Sequence, residues 1–267
     1  MDLRPIGVFD SGLGGLTAIR GVDEFLPGEH IVYFGDTGRI PYGTRSRETI
    51  IKYSRQDVRF LMTRDVKAII VACGTVSSVA LDDLRSKFDL PITGVVEAAC
   101  DRARKLTKNG RVGIIGTPAT IASGSYEKNL SASDIDCFTT ACPLFVPCVE
   151  NGRTHRGDIV IETLAREYLQ NICAAGVDTL ILGCTHYPLL VDVLGEIVGK
   201  DVNLIDPGYE AAGALAKLLR SRDMLADGNG KREYFVSDST DNFSHLAELF
   251  LHKRVEGKVE RVEIENY

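Results

Sequence analysis

Short runs rich in Ile and Val recur along this chain between longer segments of helical period, and that alternation points to an α/β fold built on parallel strands. The runs predict strands at Ile6 to Phe9, Ile31 to Phe34, Val66 to Ala72, Ile92 to Val96, Val112 to Ile115, Thr179 to Leu182 and Asn203 to Ile205. Helical spacing intervenes: Ile51, Val58, Leu61 and Met62 share one face of a helix opening near Thr44. With 267 residues, 44% of them hydrophobic, there is apolar material for one large domain or two modest ones.

Two internal echoes favour two similar halves. Ile6-Gly7-Val8-Phe9-Asp10-Ser11 is echoed by Val112-Gly113-Ile114-Ile115-Gly116-Thr117, each a strand running into a turn and helix. Ile69-Ile70-Val71-Ala72-Cys73-Gly74-Thr75 is matched by Thr179-Leu180-Ile181-Leu182-Gly183-Cys184-Thr185, so both strands end in a cysteine followed within two residues by threonine. The halves are residues 1–94 and 95–206. Pattern alone leaves the allegiance of the rest open: Tyr234-Phe235-Val236, the run from Leu246 to Leu251, and alternating Arg261-Val262-Glu263-Ile264 read as strand, helix, strand. No low-complexity linker separates the halves, so they should pack around a shared cleft at the carboxyl ends of their strands, where open α/β sheets place ligands.

A formal charge of -6, from 31 Lys+Arg against 37 Asp+Glu, carries no electrostatic footprint for nucleic acid or an anionic membrane. No stretch approaches a membrane span. The apolar residues after Pro5 are interrupted too soon, by Asp10, to read as a signal peptide. Seven cysteines, an odd number with no closely spaced Cys-x-x-Cys pair, argue for reduced thiols in the cytoplasm and against a disulfide framework or structural zinc.

Cys73 and Cys184 stand apart from Cys100, Cys137, Cys142, Cys148 and Cys173, which read as small core hydrophobes. Paired strand-end thiols suit inversion at a carbon: one thiolate removes a proton from one face while a thiol delivers a proton to the other. Free cysteine is mostly protonated at neutral pH, so such a site needs partners or helix N-termini that favour thiolate, and a strand-to-helix turn is expected to supply such an N-terminus at both cysteines. Asp10 is a candidate partner, or a plain helix N-cap. His186, two residues beyond Cys184, is an acid-base candidate or a hydrogen-bonded structural imidazole.

Gly12-Leu13-Gly14-Gly15 with Asp36 after the second strand invites a dinucleotide-binding reading, but Thr17 stands where that fingerprint needs glycine. A turn admitting a small carboxylate explains the same residues. Pro41-Tyr42-Gly43 is a turn at a strand's carboxyl end, and the charged stretch from His252 to Glu263 reads as a solvated strand face.

Several of these segments, in this order, resemble the bacterial glutamate racemases: Gly7-Val8-Phe9-Asp10-Ser11-Gly12-Leu13-Gly14-Gly15-Leu16-Thr17, Pro41-Tyr42-Gly43-Thr44-Arg45-Ser46, Pro143-Leu144-Phe145-Val146-Pro147 with Glu150, and Gly183-Cys184-Thr185-His186-Tyr187-Pro188-Leu189-Leu190. The resemblance spans nearly the whole chain. It implies that Cys73, assisted by Asp10, acts on D-glutamate, and that Cys184, assisted by His186 with Glu150 behind it, acts on L-glutamate. It further implies substrate contacts from Asp10, Ser11, Tyr42, Gly43, Gly74, Thr75, Thr117, Thr120, Thr185 and His186. Neither pyridoxal phosphate nor a metal is implied. The implied arrangement returns residues 207–267 to the first domain with residues 1–94, leaves 95–206 as the second, and forms a homodimer that supplies D-glutamate for peptidoglycan.

One position departs from the resemblance: Gly74 stands where an Asn that contacts substrate is usual. A water in the vacated space would preserve glutamate turnover, and Gly74→Asn would then change kcat/KM by less than about tenfold. The chain also starts at its first strand, so activation through an N-terminal extension is not expected. The competing readings are a racemase for another amino acid, aspartate foremost, and a nucleotide-binding module without chemistry.

Overall fold

The computed structural model describes every residue except 229, 242, 254, 256 and 257. Its strands are β1 (Ile6–Asp10), β2 (Ile31–Gly35), β3 (Ala68–Val71), β4 (Ile92–Gly94), β5 (Arg111–Gly116), β6 (Asp136–Ala141), β7 (Thr179–Gly183), β8 (Asn203–Ile205), β9 (Arg232–Val236) and β10 (Val259–Arg261). The helices are α1 (Leu16–Phe25), α2 (Arg47–Met62), α3 (Gly74–Val79), α4 (Leu81–Lys87), α5 (Val95–Leu106) and α6 (Pro118–Ala122). They continue with α7 (Ser125–Leu130), α8 (Phe145–Glu150), α9 (Ile159–Ala174), α10 (Val191–Val198), α11 (Pro207–Ser221) and α12 (Phe243–Leu251).

The strands form two sheets, ordered β10-β9-β2-β1-β3-β4 and β6-β5-β7-β8, and every pairing within them is parallel. β1, β2, β3 and β7 are buried at every residue, which is why they read as unbroken apolar runs rather than as alternating ones. The α/β expectation, two parallel sheets flanked by helices, holds.

The order β2-β1-β3-β4 has the same connectivity as β6-β5-β7-β8. The echo of residues 6–11 by 112–117 is therefore β1 against β5, and the echo of 69–75 by 179–185 is β3 against β7. In each sheet the chain reverses its direction of winding beside the first strand of the echoed pair, which places a binding crevice outside the ends of β1 and β3 and of β5 and β7. Asp10, Cys73, Thr117 and Cys184 all sit at those ends.

Strands β9 and β10 extend the first sheet, while α11 packs on α1 and on α5. One core cluster draws on both sheets, with Ile6, Val8 and Ile70 beside Ile115, Leu180 and Leu182, so the halves share apolar burial.

The differences from expectation have local causes. β6 was not anticipated: Asp136-Cys-Phe-Thr-Thr-Ala lies at a sheet edge with no buried residue and lacks a branched aliphatic run. Val95 and Val96 open α5 instead of extending β4, and β3 begins at Ala68, two residues after Val66. α2 opens at Ser46, whose Oγ accepts from the Thr49 N–H, and not at Thr44. In the tail, α12 and β9 fall where expected, but β10 stops at Arg261. Val262 still hydrogen-bonds Val236, and Ile264 begins a 3-10 turn. Of the stretch His252 to Glu263, residues 254, 256 and 257 lie outside the described residues; Glu260, Arg261 and Glu263 are exposed and Val262 is buried.

Candidate active site

Cys73 is the residue that caps the N-terminus of α3, at the end of β3, and is 4% exposed. Its thiol donates to Ser11 Oγ at 3.5 Å. Burial pushes the Cys73 thiol up to about 12, the neighbouring Asp10 charge adds to that, and the Ser11 contact opposes it. Asp10 is itself wholly buried. Burial raises its carboxyl above the ordinary carboxylate range, against the His186 charge and backbone N–H groups from Gly15, Gly12 and Ser11. Asp10 Oδ2 accepts from Gly12 N at 3.0 Å, while Oδ1 has no partner among the described residues. The N-cap of α1 is Gly15, so the reading of Asp10 as a plain helix cap fails.

The other cysteine has different company. Cys184 is 8% exposed, with its sulfur 3.8 Å from His186 Nδ1. His186 Nε2 lies 3.1 Å from Glu150 Oε1, at the end of α8, and the edge of the imidazole meets Phe250 of α12 with ring centroids 5.2 Å apart. Burial works against the imidazolium, but hydrogen bonds and charges from Cys184 and Glu150 outweigh it and lift His186 to about 10. A cation is thus held against the Cys184 sulfur, the arrangement a thiolate needs. The helix N-terminus expected at both cysteines exists only at Cys73. After Cys184 the chain makes a 3-10 turn, Tyr187–Leu190, before α10.

Threonines join the two sheets across the cleft. Thr75 Oγ1 and Thr117 Oγ1 are 3.0 Å apart, Thr117 Oγ1 is 2.9 Å from Thr120 Oγ1, and Thr17 Oγ1 donates to the Thr185 carbonyl at 3.2 Å. Thr185 Oγ1 lies 3.4 Å from His186 Nδ1. The structure therefore gathers Asp10, Ser11, Cys73, Gly74, Thr75, Thr117, Thr120, Glu150, Cys184, Thr185 and His186 at one cleft. Gly43 joins them, close against Thr117.

Tyr42 is turned away. Its side chain is 1% exposed; the hydroxyl donates to Asp36 Oδ2 and also lies 3.3 Å from Asp57 Oδ2. Only the backbone of Tyr42 and Gly43 is left to face a ligand. Arg39 completes this cluster, with Nε 2.7 Å from Asp36 Oδ2 and an Nη 3.0 Å from Asp57 Oδ1. Sequence reasoning missed Arg39 and Asp57, which sit outside any motif. Asp36 did stand out, but as support for the dinucleotide-binding reading, and its oxygens are already committed to Arg39, Tyr42 and Ser237. That closes the dinucleotide reading.

Gly74 overturns a second expectation. A Cβ added there would fall well inside contact distance of the Gly183 carbonyl oxygen and 3.2 Å from its carbon. No vacated space exists to hold a water, and a side chain cannot be added at Gly74 in this arrangement without moving backbone. A cavity of about 10 Å³ against Gly74, Gly183 and Cys184 is at the limit for a single water. A roomier surface hollow of about 830 Å³, lined by Leu144, Pro147, Ile159 and Val160 among others, contains none of the cleft residues named above. Among the described residues no cluster of three or more His, Cys, Asp or Glu is placed to hold a metal, and no helix is long and apolar enough to cross a membrane.

The profile of the Asp/Glu/Hydantoin racemase family matches residues 14–215. The chain belongs to this family. Membership agrees with the expected enzyme class, an amino-acid racemase among the isomerases. A glutamate racemase of Geobacter metallireducens is 44% identical over 269 residues, covering 99% of this chain and 98% of its own. Among solved structures, glutamate racemase from Francisella tularensis in complex with D-glutamate superposes with a TM-score of 0.92 at 38% identity, all of each chain being covered. Glutamate racemase from Thermus thermophilus, in complex with beta-chloro-D-alanine, gives a TM-score of 0.89 at 41% identity, again over the whole of both chains. An aspartate racemase from Picrophilus torridus shares the fold at 16% identity and a TM-score of 0.55.

Proposed function

We propose that this chain interconverts L- and D-glutamate by a two-base mechanism at Cys73 and Cys184. The observation that carries the reading is the placement of the two thiols at corresponding strand ends of two sheets facing one cleft, Cys73 against the Ser11 hydroxyl and within the field of Asp10, Cys184 against the His186 imidazole. In the L-to-D direction the Cys184 thiolate takes the α-proton: the C–H bond breaks, an S–H bond forms, and the electron pair stays on the α-carbon and its carboxylate. The Cys73 thiol then delivers its proton to the opposite face, leaving a thiolate there. The high proton affinity of Cys73 suits the donor role. In the reverse direction Cys73 must first lose that proton, and the substrate ammonium, held at the unpartnered Asp10 Oδ1, supplies the positive charge that makes the loss feasible. His186, held by Glu150, keeps positive charge beside Cys184.

The hydroxyls of Ser11, Thr75, Thr117, Thr120 and Thr185 and the Gly43 backbone N–H are the donors available to the substrate carboxylates. The reaction as written calls on no cofactor. Residues 1–94 with 207–267 act as one domain and 95–206 as the other, closing on the substrate; the active unit is a cytoplasmic homodimer whose D-glutamate feeds peptidoglycan synthesis. The test is a panel of L-amino acids incubated with the protein and resolved on a chiral column. D-glutamate is the expected product. Faster turnover of L-aspartate would move the substrate assignment to the shorter acid, and no inversion of any amino acid would remove it.

A further inference from the structure

β2 delivers to the Cys73 side of the cleft a side chain that the two-base mechanism leaves unused. Tyr33 pairs with Val8 of β1 and is wholly buried, and its phenol donates to the Gly12 carbonyl at 2.9 Å. Gly12 ends a short turn that starts at Asp10. Its own N–H donates to Asp10 Oδ2 at 3.0 Å, the bond to the backbone two residues on by which Asp closes such turns. Ser11 stands between them, with its Oγ 3.5 Å from the Cys73 sulfur. The turn therefore carries both side chains that set the surroundings of Cys73, and the phenol ties its far end to the sheet. The seat of the Gly12 carbonyl is the space over Gly35, where an added Cβ would fall inside contact distance of that oxygen and 3.3 Å from Tyr33 Cε1. Cys73 is faced by the Asp10 carboxyl, the Ser11 hydroxyl and the backbone N–H groups of Ser11 and Val76. Burial, with the charges of Asp10, Cys73 and Tyr234 behind it, holds the Tyr33 proton well above the ordinary 10, so the phenol stays a donor while Cys73 moves between thiol and thiolate.

We infer that Tyr33 is a positioning residue for Cys73: its hydroxyl seats the turn at residues 10–12, so that Ser11 meets the sulfur and Asp10 Oδ1 is left open to the substrate ammonium. This rests on the two-thiol reading above and deepens it. Without the phenol oxygen the buried Gly12 carbonyl has lost its donor, a state the backbone relieves by shifting toward water or another partner. Such a shift carries Ser11 away from the sulfur, and the Cys73 thiolate loses a hydrogen bond that works against its burial. Proton removal from D-glutamate, the step that needs Cys73 as thiolate, suffers first. Cys184 keeps His186 and Glu150 and is unaffected.

The experiment compares wild type, Tyr33→Phe and Tyr33→p-aminophenylalanine, the last restoring an N–H donor at the ring position that lost its hydroxyl. It records kcat and KM for glutamate in both directions, thermal midpoint, and the rates at which iodoacetamide alkylates Cys73 and Cys184, read by peptide mass spectrometry. For Tyr33→Phe we expect D-to-L kcat to fall roughly tenfold, the worth of one hydrogen bond to a charged group, and L-to-D kcat to stay within about threefold while its KM rises. Cys73 alkylation should slow roughly tenfold for the same reason, with Cys184 alkylation unchanged, and the amine should restore both readouts. Equal losses in the two directions with unaltered Cys73 alkylation mark a packing defect and overturn the positioning role. Unchanged kcat in both directions, or faster alkylation of Cys73, overturns it as well. If Tyr33→Phe does not fold, Gly35→Ala decides, because its methyl lifts the Gly12 carbonyl from its seat with the phenol still present: the same directional loss with slowed Cys73 alkylation supports the role, and wild-type behaviour refutes it. Should the wild type fail to invert glutamate at all, the two-thiol reading falls, while alkylation of Cys73 relative to Cys184 still decides whether Tyr33 seats the turn.

Discussion

Glu150 and His186 are joined at 3.1 Å, Oε1 to Nε2, which leaves Nδ1 of the same ring pointing at Cys184. Cys73 has no imidazole; its neighbours are a hydroxyl and a buried carboxylate. Two thiols that perform mirror-image steps are thus poised in unlike ways. The chemistry of each direction should be separable by mutation.

The first expectation concerns proton flow. In deuterated water, D-glutamate formed from L-glutamate should carry deuterium at the α-carbon from the start, while recovered L-glutamate stays unlabelled at early times, because removal and delivery use different groups. Unlabelled product would rule the mechanism out. Cys73→Ala and Cys184→Ala should each abolish inversion, since each face has one proton-transfer group; normal turnover in either variant would remove that cysteine from the assignment.

The partners give a directional expectation. His186→Asn should lower L-to-D kcat more than D-to-L kcat, and Asp10→Asn should do the reverse, each by about 10²–10⁴-fold on its own side. Because L- and D-glutamate are equally stable, kcat/KM must remain equal in the two directions, so the KM values shift to compensate. Equal damage to both kcat values from both variants would refute divided roles.

How much of this was legible in the sequence divides along physical lines. The echo of residues 69–75 by 179–185 located both thiols and the correspondence of the sheets, because parallel strands buried on both faces leave an uninterrupted apolar signature. β6 left none, being an edge strand of half-buried residues. The orientation of Tyr42 was hidden too: its motif pointed to the cleft, but Asp57, on a distant helical turn, draws the hydroxyl into the interior. Gly74 showed the limit most clearly. Its neighbour Gly183 lies more than a hundred residues away, so the absence of a side chain read as spare room when it is the result of close approach.

Activity should decline on the alkaline side as His186 loses its proton. Its folded value of about 10 is raised, so the cation persists through neutral pH and is lost as pH climbs through that value. Glu150→Gln weakens the support and should move the alkaline limb of kcat/KM to lower pH. The check is a pair of pH profiles, with the His186 imidazole followed by NMR in a selectively labelled sample. An imidazole neutral at pH 7 in the wild type would contradict this account.

Lys67 and Glu29 offer a test of stability remote from the cleft. Their side chains are 0% and 1% exposed, Nζ lies 2.7 Å from Glu29 Oε2, and the same ammonium donates to the carbonyls of Asp2 and Met224 at 2.6 Å. Lys67→Met strands a buried carboxylate and should cost about 3–5 kcal/mol in unfolding free energy. The double change Lys67→Met with Glu29→Leu should recover much of that in denaturant titrations. A single variant as stable as wild type would show that the pair is not coupled.

Asp57 supplies the last expectation, and here the sign needs care. Asp57 is wholly buried beside Asp36, with Arg39 as their shared cation, and burial together with the Asp36 charge holds its carboxyl well above the ordinary 3.8, against the pull of Arg39 and Tyr42. A proton is thus bound more tightly in the folded protein than in the unfolded chain. The stability this supplies is complete below about pH 3.8 and is lost as pH rises through the folded-state value. Asn mimics the protonated acid: its carbonyl accepts from Arg39 and its amide donates to the Tyr42 oxygen. Asp57→Asn should therefore keep the turn at Tyr42 and Gly43, hold kcat within a few-fold, and gain stability relative to wild type as pH increases. Asp57→Ala strips both contacts from buried partners, which costs about 1–3 kcal/mol, and should raise KM by loosening the Gly43 backbone. Thermal midpoints of the three proteins across pH 5 to 9 decide the matter. If Asp57→Asn loses stability relative to wild type as pH rises, Asp57 is an anion in the folded protein and the cluster carries the opposite charge balance.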